Sequence, residues 1–421
     1  MDEKKKRLLD NFLSLGALQI FSYVIPLVTL PYLSRVLGVE KFGVVFFALA
    51  FTTYFNILID FGFGMSATRE IAINRHNNKS ISNIFNSVIT IKMLLVLLSF
   101  FVLVLTIIFI PKIRENYIVF LLSFLMCVGN AIYPVWFFQG MEKMKYITFL
   151  NILSKTIFLV LIFIFIKQQN DYIIVPLLNS LGFLVAGLIG FYFAVKEFRI
   201  SLYIPHGSTI KQHFKYSSEF FMTQVSVSLY TNTNTVCLGF VGSEFMVGLY
   251  VAAEKIYSAI NGLKAPLVTA LYPFITRNKD IKLYRKIFKF AISVSFIISC
   301  FAFIFAKDII SIFYGVAMTE AYKVLRIFCI LFFVNVPSVL LGYPLLGALG
   351  HTHETNWSVV YSSIFHLIGL VTLISLKGLT IYTMAYMVLI TTSVELLMRV
   401  IPVVKYKLWN YDKLNIEGKR V

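Results

Sequence analysis

Four lysines and two carboxylates stand inside runs of apolar residues, where an ionised side chain is costly and needs a reason. Lys92 lies in "NSVITIKMLLVLLSF" (86–100) and Lys155 in "FLNILSKTIFLVL" (149–161). Lys255, Lys264 and Glu254 share "LYVAAEKIYSAINGLKAPLV" (249–268), and Asp60 closes "FNILID" (55–60). A lysine ammonium is a compact charge with three donors. Such an excess of lysine over carboxylate, if enclosed, suits an anionic ligand such as a phosphate. The carboxylates allow two roles. Asp60 and Glu254 either carry a coupling proton or Na⁺, or pair with a neighbouring lysine.

The 249–268 run carries the most information. At about 100° per residue, Glu254, Tyr257, Ser258 and Asn261 share one face, and apolar residues fill the other. Lys255 and Lys264 fall on opposite edges of the polar arc, roughly 180° apart. Both can face one cavity only if the helix loosens at Gly262 or Pro266. In the run before it, Glu219, Thr223, Ser226, Tyr230, Thr233 and Asn234 share an arc. Ser14, Ser22 and Thr29 share one near the N-terminus. These faces are the expected cavity walls. The expected lining is Arg35, Lys92, Lys155, Lys255, Lys264, Asn261, Tyr257 and Asn234, with Arg35 near the outer end beyond a kink at Pro31.

Other chemistry is poorly supported. The four cysteines, Cys127, Cys237, Cys300 and Cys329, lack metal-ligand spacing, so no metal or cofactor is expected. "DFG" at 60–62 has no kinase context. His351-x-His353 lacks the order of a zinc-protease helix. Glu395 and Arg399 are spaced as a local i, i+4 ion pair. There is no Gly-Lys-Ser/Thr phosphate loop, so ATP is not the direct driver.

The elements that must position these residues follow from composition. Hydrophobic residues make up 58% of the chain and charged residues 14%, with a mean hydropathy of +0.81. Soluble domains carry about 25% charge, so these charges are too few to wet a soluble surface. The apolar runs are about 20 residues long, enough to span a bilayer as helices. They are continuous, which excludes an alternating β-barrel. The reading is an all-α polytopic membrane protein of about twelve transmembrane helices. Expected limits are 11–34, 42–68, 81–110, 116–138, 146–166 and 172–195, then 216–241, 245–275, 287–306, 324–348, 355–376 and 378–402.

The N-terminal run is too long for a cleaved signal and reads as a retained helix. The net charge is +18. Lysine and arginine concentrate on the side shared by both termini, which places the termini in the cytoplasm. Inner loops beside anionic lipid account for this balance without nucleic acid.

The chain also repeats itself. Tyr133-Pro134 is followed by Gly140, and Tyr343-Pro344 by Gly350. A fainter echo links "LGVEKFGVVFFALA" (37–50) with "VGSEFMVGLYVAAE" (241–254). Two six-helix lobes in the same orientation are expected, related by a pseudo-two-fold axis along the membrane normal. The linker at about 196–215, with Pro205 and Gly207, divides them into 1–200 and 201–421.

"NILIDFGFGMSATREIAINRHN" (56–77), "YPVWFFQGMEKMKYIT" (133–148) and "LYVAAEKIYSAINGLKAPLVTALYPFITR" (249–277) resemble the Wzx-type O-antigen and polysaccharide flippases. These form the polysaccharide transport group of the multidrug/oligosaccharidyl-lipid/polysaccharide exporter superfamily. The resemblance covers nearly the whole chain. It implies two lobes around a central cationic cavity. It also implies transport of undecaprenyl-pyrophosphate-linked oligosaccharide from the cytoplasmic to the periplasmic leaflet of the inner membrane. Partners would be that lipid, the bilayer and other polysaccharide assembly proteins. Where related flippases have cavity arginines, this chain has mostly lysines. Two rivals stay open: a drug/cation antiporter of the same superfamily, whose cavity would be more acidic, and a membrane polymerase or glycosyltransferase. The short outer loops count against the enzyme.

Overall fold

The computed structural model describes the backbone of residues 3–231, 233–262 and 264–410, and their side chains apart from those of 3–18, 20, 23, 223, 226–231 and 410. Ser14, Thr223, Ser226 and Tyr230 therefore lie outside the described side chains. Among the described residues every regular element is helical. Nine stretches of the described residues are long and apolar enough to cross a membrane. The protein is thus an all-α, multi-pass membrane protein, as hydrocarbon requires of a chain that must satisfy its own backbone hydrogen bonds.

Among the described residues nine such stretches stand where about twelve spans are expected. The first two expected spans run together as α1 (Glu3–Asp60), bent at Gly38, whose φ is 73°. A left-handed turn at Phe61 and Gly62 then starts α2 (Phe63–Ile73). The seventh expected span is described as α9 (Gly207–Thr231) and α10 (Thr233–Val241), and the eighth as α11 (Glu244–Gly262) and α12 (Ala265–Asn278), with positions 232 and 263 outside the described residues. Pro266 lies in the first turn of α12, where a missing N–H costs nothing.

By compactness the chain divides into Met1–Ser228 and Leu229–Val421. The first unit holds α1, α2, α3 (Asn78–Phe109), α4 (Pro111–Arg114), α5 (Tyr117–Ile132), α6 (Val135–Gly140), α7 (Met144–Phe165), α8 (Val175–Glu197) and most of α9. The start of α9 belongs here because it is tied to α1 and α2. Phe61 stacks on Phe214 and Phe221 at 4.2 and 4.6 Å. Ser66 and Ser217 share a 2.7 Å hydrogen bond, and His213 lies 2.9 Å from Glu70. Helices α5 and α8 pack closely enough that a Cβ on Gly187 would stand 2.5 Å from the Gly129 carbonyl oxygen. Small residues are what allow such approach in lipid.

The second unit holds α10 to α12, α13 (Ile281–Ile304), α14 (Ala306–Tyr314), α15 (Ala321–Leu340), α16 (Thr352–Ser375) and α17 (Ile381–Lys405). Its core joins Leu271 and Ile275 of α12, Tyr284 of α13, Phe332 and Val336 of α15, and Val403 of α17.

The repeated Tyr-Pro-x5-Gly breaks a helix in each unit. Proline lacks the N–H and keeps its predecessor out of helical backbone. Tyr133 is extended at ψ 108°, ending α5 before α6 begins. In the second unit α15 instead runs into a π-helical segment, Leu341–Gly347, bent at Gly342. Pro344 cannot donate to the Leu340 carbonyl four residues back, and the Tyr284 hydroxyl donates to that carbonyl at 2.8 Å. The motif tyrosine is held alike in both units. The Asn151 amide on α7 donates to the Tyr133 hydroxyl (3.0 Å), and the Tyr343 hydroxyl donates to Asn356 on α16 (2.6 Å). The glycines differ. A Cβ on Gly140 would meet Ile71 at 2.6 Å, whereas Gly350 has open space but a φ of +94°.

Candidate functional site

Each unit encloses its own polar cavity. In the first unit a cavity of about 320 Å³ lies among α1, α2, α3, α5, α6 and α9. The break at Tyr133-Pro134 brings Tyr133, Trp136 and Gln139 to its wall. Lys92, on α3, is 4% exposed, and its ammonium lies 3.1 Å from the Asp60 carboxylate at the end of α1. An unpaired charge so deeply buried would be prohibitive, so the pair is the condition for either residue being there. Asn130 donates to Asn56 across the same space at 3.2 Å. The Trp136 indole N–H has no hydrogen-bond partner among the described residues.

In the second unit a cavity of about 450 Å³ is lined from α10, α11, α15, α16 and α17. Four residues expected from the sequence meet here: Asn234, Tyr257, Asn261 and Lys264. Glu254 joins them, with the Thr235 hydroxyl as its hydrogen-bond partner. The Lys264 ammonium donates to the Asn335 side chain. Arg399 is buried and fully engaged. It meets Glu395 at 2.5 Å, the Ser358 hydroxyl at 3.0 Å and the Ser338 carbonyl at 2.8 Å. The i, i+4 pair read from the sequence is therefore present, but it also ties α17 to α15 and α16. His366 bridges Thr391 through Nδ1 at 2.8 Å and Asn234 through Nε2 at 3.1 Å.

Three expected lining residues lie elsewhere. Lys155 donates to Ser22 on α1 at 2.7 Å, which joins α7 to α1 away from the first cavity. Arg35 is exposed and lines neither cavity. Lys255 is half-buried and outside the lining of the second cavity. The helix geometry accounts for this. Lys255 and Lys264 lie on opposite edges of one arc, and of the two only Lys264 lines this cavity. His366, Asn335, Ser338 and Ser358 were missed. His366 carried the same signal as the lysines, a polar group within an apolar run, "SSIFHLIGLV" (362–371). The others needed the break after α15 to be placed.

A membrane-embedded helical scaffold with broken helices and enclosed polar cavities defines a multi-pass transporter architecture. Comparison with known proteins agrees. The structure superposes on a solved structure described as "Lipid II flippase MurJ, inward closed conformation", with a TM-score of 0.72 at 16% identity, covering 94% of this chain and 89% of that one. It also superposes on an inward-facing "multidrug resistance MATE family transporter of the MOP superfamily", with a TM-score of 0.71 at 15% identity, covering 95% and 100% of the two chains. At such identities the likeness is one of fold. The sequence is more specific: the chain belongs to the polysaccharide biosynthesis protein family, whose profile matches residues 8–279. A relative from Escherichia coli (strain K12), named "Putative O-antigen transporter", is 30% identical over 387 residues, 90% of this chain and 92% of the relative.

Proposed function

We propose that this protein is a transporter and not an enzyme: a flippase for lipid-linked polysaccharide precursors. Its substrate is an undecaprenyl-pyrophosphate-linked oligosaccharide repeat unit, of O-antigen or a similar surface polysaccharide. It carries the unit from the cytoplasmic to the periplasmic leaflet of the inner membrane, with both termini in the cytoplasm. The observation that carries this reading is the near full-length likeness to the Escherichia coli relative. The buried polar cavities support it. A charged, hydroxyl-rich head group crosses hydrocarbon only at great cost unless a polar interior receives it. A drug/cation antiporter would share the fold, but the family match favours polysaccharide.

In the proposed mechanism the lobes, taken as 1–200 and 201–421, give alternating access while the polyprenyl tail stays in lipid. Lys92 exchanges Asp60 for the pyrophosphate oxygens. Asp60, relieved of its partner, is then the group placed to take up a proton or Na⁺, with Glu254 as the second carboxylate available for coupling. The test is reconstitution into vesicles with a lipid-linked oligosaccharide and imposed gradients of pH, Na⁺ or voltage. Gradient-dependent appearance of the sugar in the opposite leaflet is expected. Absence of translocation, or an ATP requirement by the purified protein alone, overturns the reading.

A further inference from the structure

We infer that the cavity of the second unit is a saccharide subsite, taking a neutral sugar ring of the head group and not its pyrophosphate. This rests on the flippase reading and assigns that cavity a share of the substrate.

The first argument is charge. The cavity is lined by two cations, Lys264 and Arg399, and two carboxylates, Glu254 and Glu395. Arg399 spends its guanidinium on Glu395, Ser358 and Ser338, and Lys264 is bonded to Asn335. A pyrophosphate would meet two carboxylates in a space of low dielectric, where like charges repel strongly. Its own charge would find the Arg399 guanidinium already engaged. A neutral polyol meets no such opposition.

The second argument is an unmade hydrogen bond. Asn261 lines this cavity, and its side-chain oxygen is buried with no partner among the described residues. A buried amide carbonyl left unpaired is destabilising, so such a group calls for a donor. An anion has none to offer. A sugar hydroxyl does, and it also accepts from the Asn335 or Asn234 amide in the cavity lining.

The third argument is shape. Tyr257 and Phe328 line the same cavity with ring centroids 5.3 Å apart, so its lining combines aromatic faces with amides and carboxylates. A pyranose has this division, an apolar C–H face and an equatorial fringe of hydroxyls. The volume of about 450 Å³ lies within the range of small-ligand pockets, roughly 300–1,000 Å³.

The test uses the full-length protein in detergent and two probes. One is the free oligosaccharide released by mild acid from the host's own lipid-linked pool; the other is undecaprenyl pyrophosphate without sugar. Calorimetric titration should show both binding. Asn261→Ala and Tyr257→Ala should each weaken the oligosaccharide about tenfold and leave undecaprenyl pyrophosphate unchanged. Lys92→Ala should do the reverse. Asn261→Asp, which keeps the acceptor, guards against a folding artefact and should retain most of the oligosaccharide affinity. If Asn261→Ala and Tyr257→Ala bind and transport like the parent, the subsite is wrong while the flippase reading stands. If Lys264→Gln abolishes binding of undecaprenyl pyrophosphate, the cavity is an anion site and the inference fails. If the parent protein moves no lipid-linked oligosaccharide at all, both readings fall.

Discussion

The Arg399 guanidinium lies 3.1 Å from the place where a Cβ on Gly342 would stand. The bend at Gly342 and the buried arginine are thus one structure. The bend opens the space, and Arg399 fills it while holding Glu395 and the Ser338 carbonyl. Gly342→Ala should displace the guanidinium. Arg399→Leu should leave Glu395 buried without its partner, at a cost of about 3–5 kcal/mol. Both should lower the thermal midpoint in detergent. An unchanged midpoint in Arg399→Leu would show the pair to be dispensable.

Lys92 and Asp60 form the corresponding buried pair of the first unit. Asp60→Ala and Lys92→Ala should each destabilise, and the double variant should cost less than the sum of the two. Additive losses in a double-mutant cycle would deny the coupling. In vesicles, Asp60→Asn should blunt the response of transport to pH or Na⁺. Asp60→Asn and Glu254→Gln variants that follow both gradients like the parent would remove these carboxylates from coupling.

Of the lysines read from the sequence, Lys264 lines a cavity and Lys255 does not. Lys264→Gln should reduce transport several-fold, and Lys255→Gln should change it little. The reverse ranking would mean that the working face of α11 is the opposite one.

The two motif tyrosines predict unequal effects. Tyr133→Phe deletes a buried hydroxyl bonded to Asn151 and the Ile147 carbonyl, and Tyr343→Phe an exposed one bonded to Asn356. Tyr133→Phe should cost about 0.5–1.5 kcal/mol and Tyr343→Phe less, read as falls in thermal midpoint. A larger fall at Tyr343 than at Tyr133 would contradict this order.

Topology is open to a direct test. Single cysteines placed in 141–146 or 277–289 should react with a membrane-impermeant maleimide only in broken cells. Reaction in intact cells would invert the assignment of the termini.

The helical, multi-pass character was legible because composition and run length are properties of the whole chain, and errors average out. The internal echo was legible because proline and glycine punctuate helices wherever they occur. Lys92 and Lys264 were legible as polar groups in apolar runs. Direction is not written in such a signal. Lys155 gives the same signal as Lys92, yet it is spent on Ser22. Only tertiary packing decides whether a buried ammonium faces an open space or a neighbouring helix. Arg35 shows a second limit, since nearness to Pro31 locates a residue along a helix and says nothing of what surrounds it. Arg399 shows a third. Its i, i+4 partner was visible, but its bonds to Ser338 and Ser358 depend on a bend that no local pattern located.

The Leu340 carbonyl, which Pro344 cannot reach with an N–H, bears on mechanics. A proline break left to itself is a soft joint. Here the Tyr284 hydroxyl caps the Leu340 carbonyl, and the surrounding core of Leu271, Ile275, Phe332 and Leu345 closes over the bend. The joint is welded. Any force reaching the end of α15 is passed to α13 as to the far arm of a rigid bracket. The compliance that transport demands must then be found elsewhere in the protein.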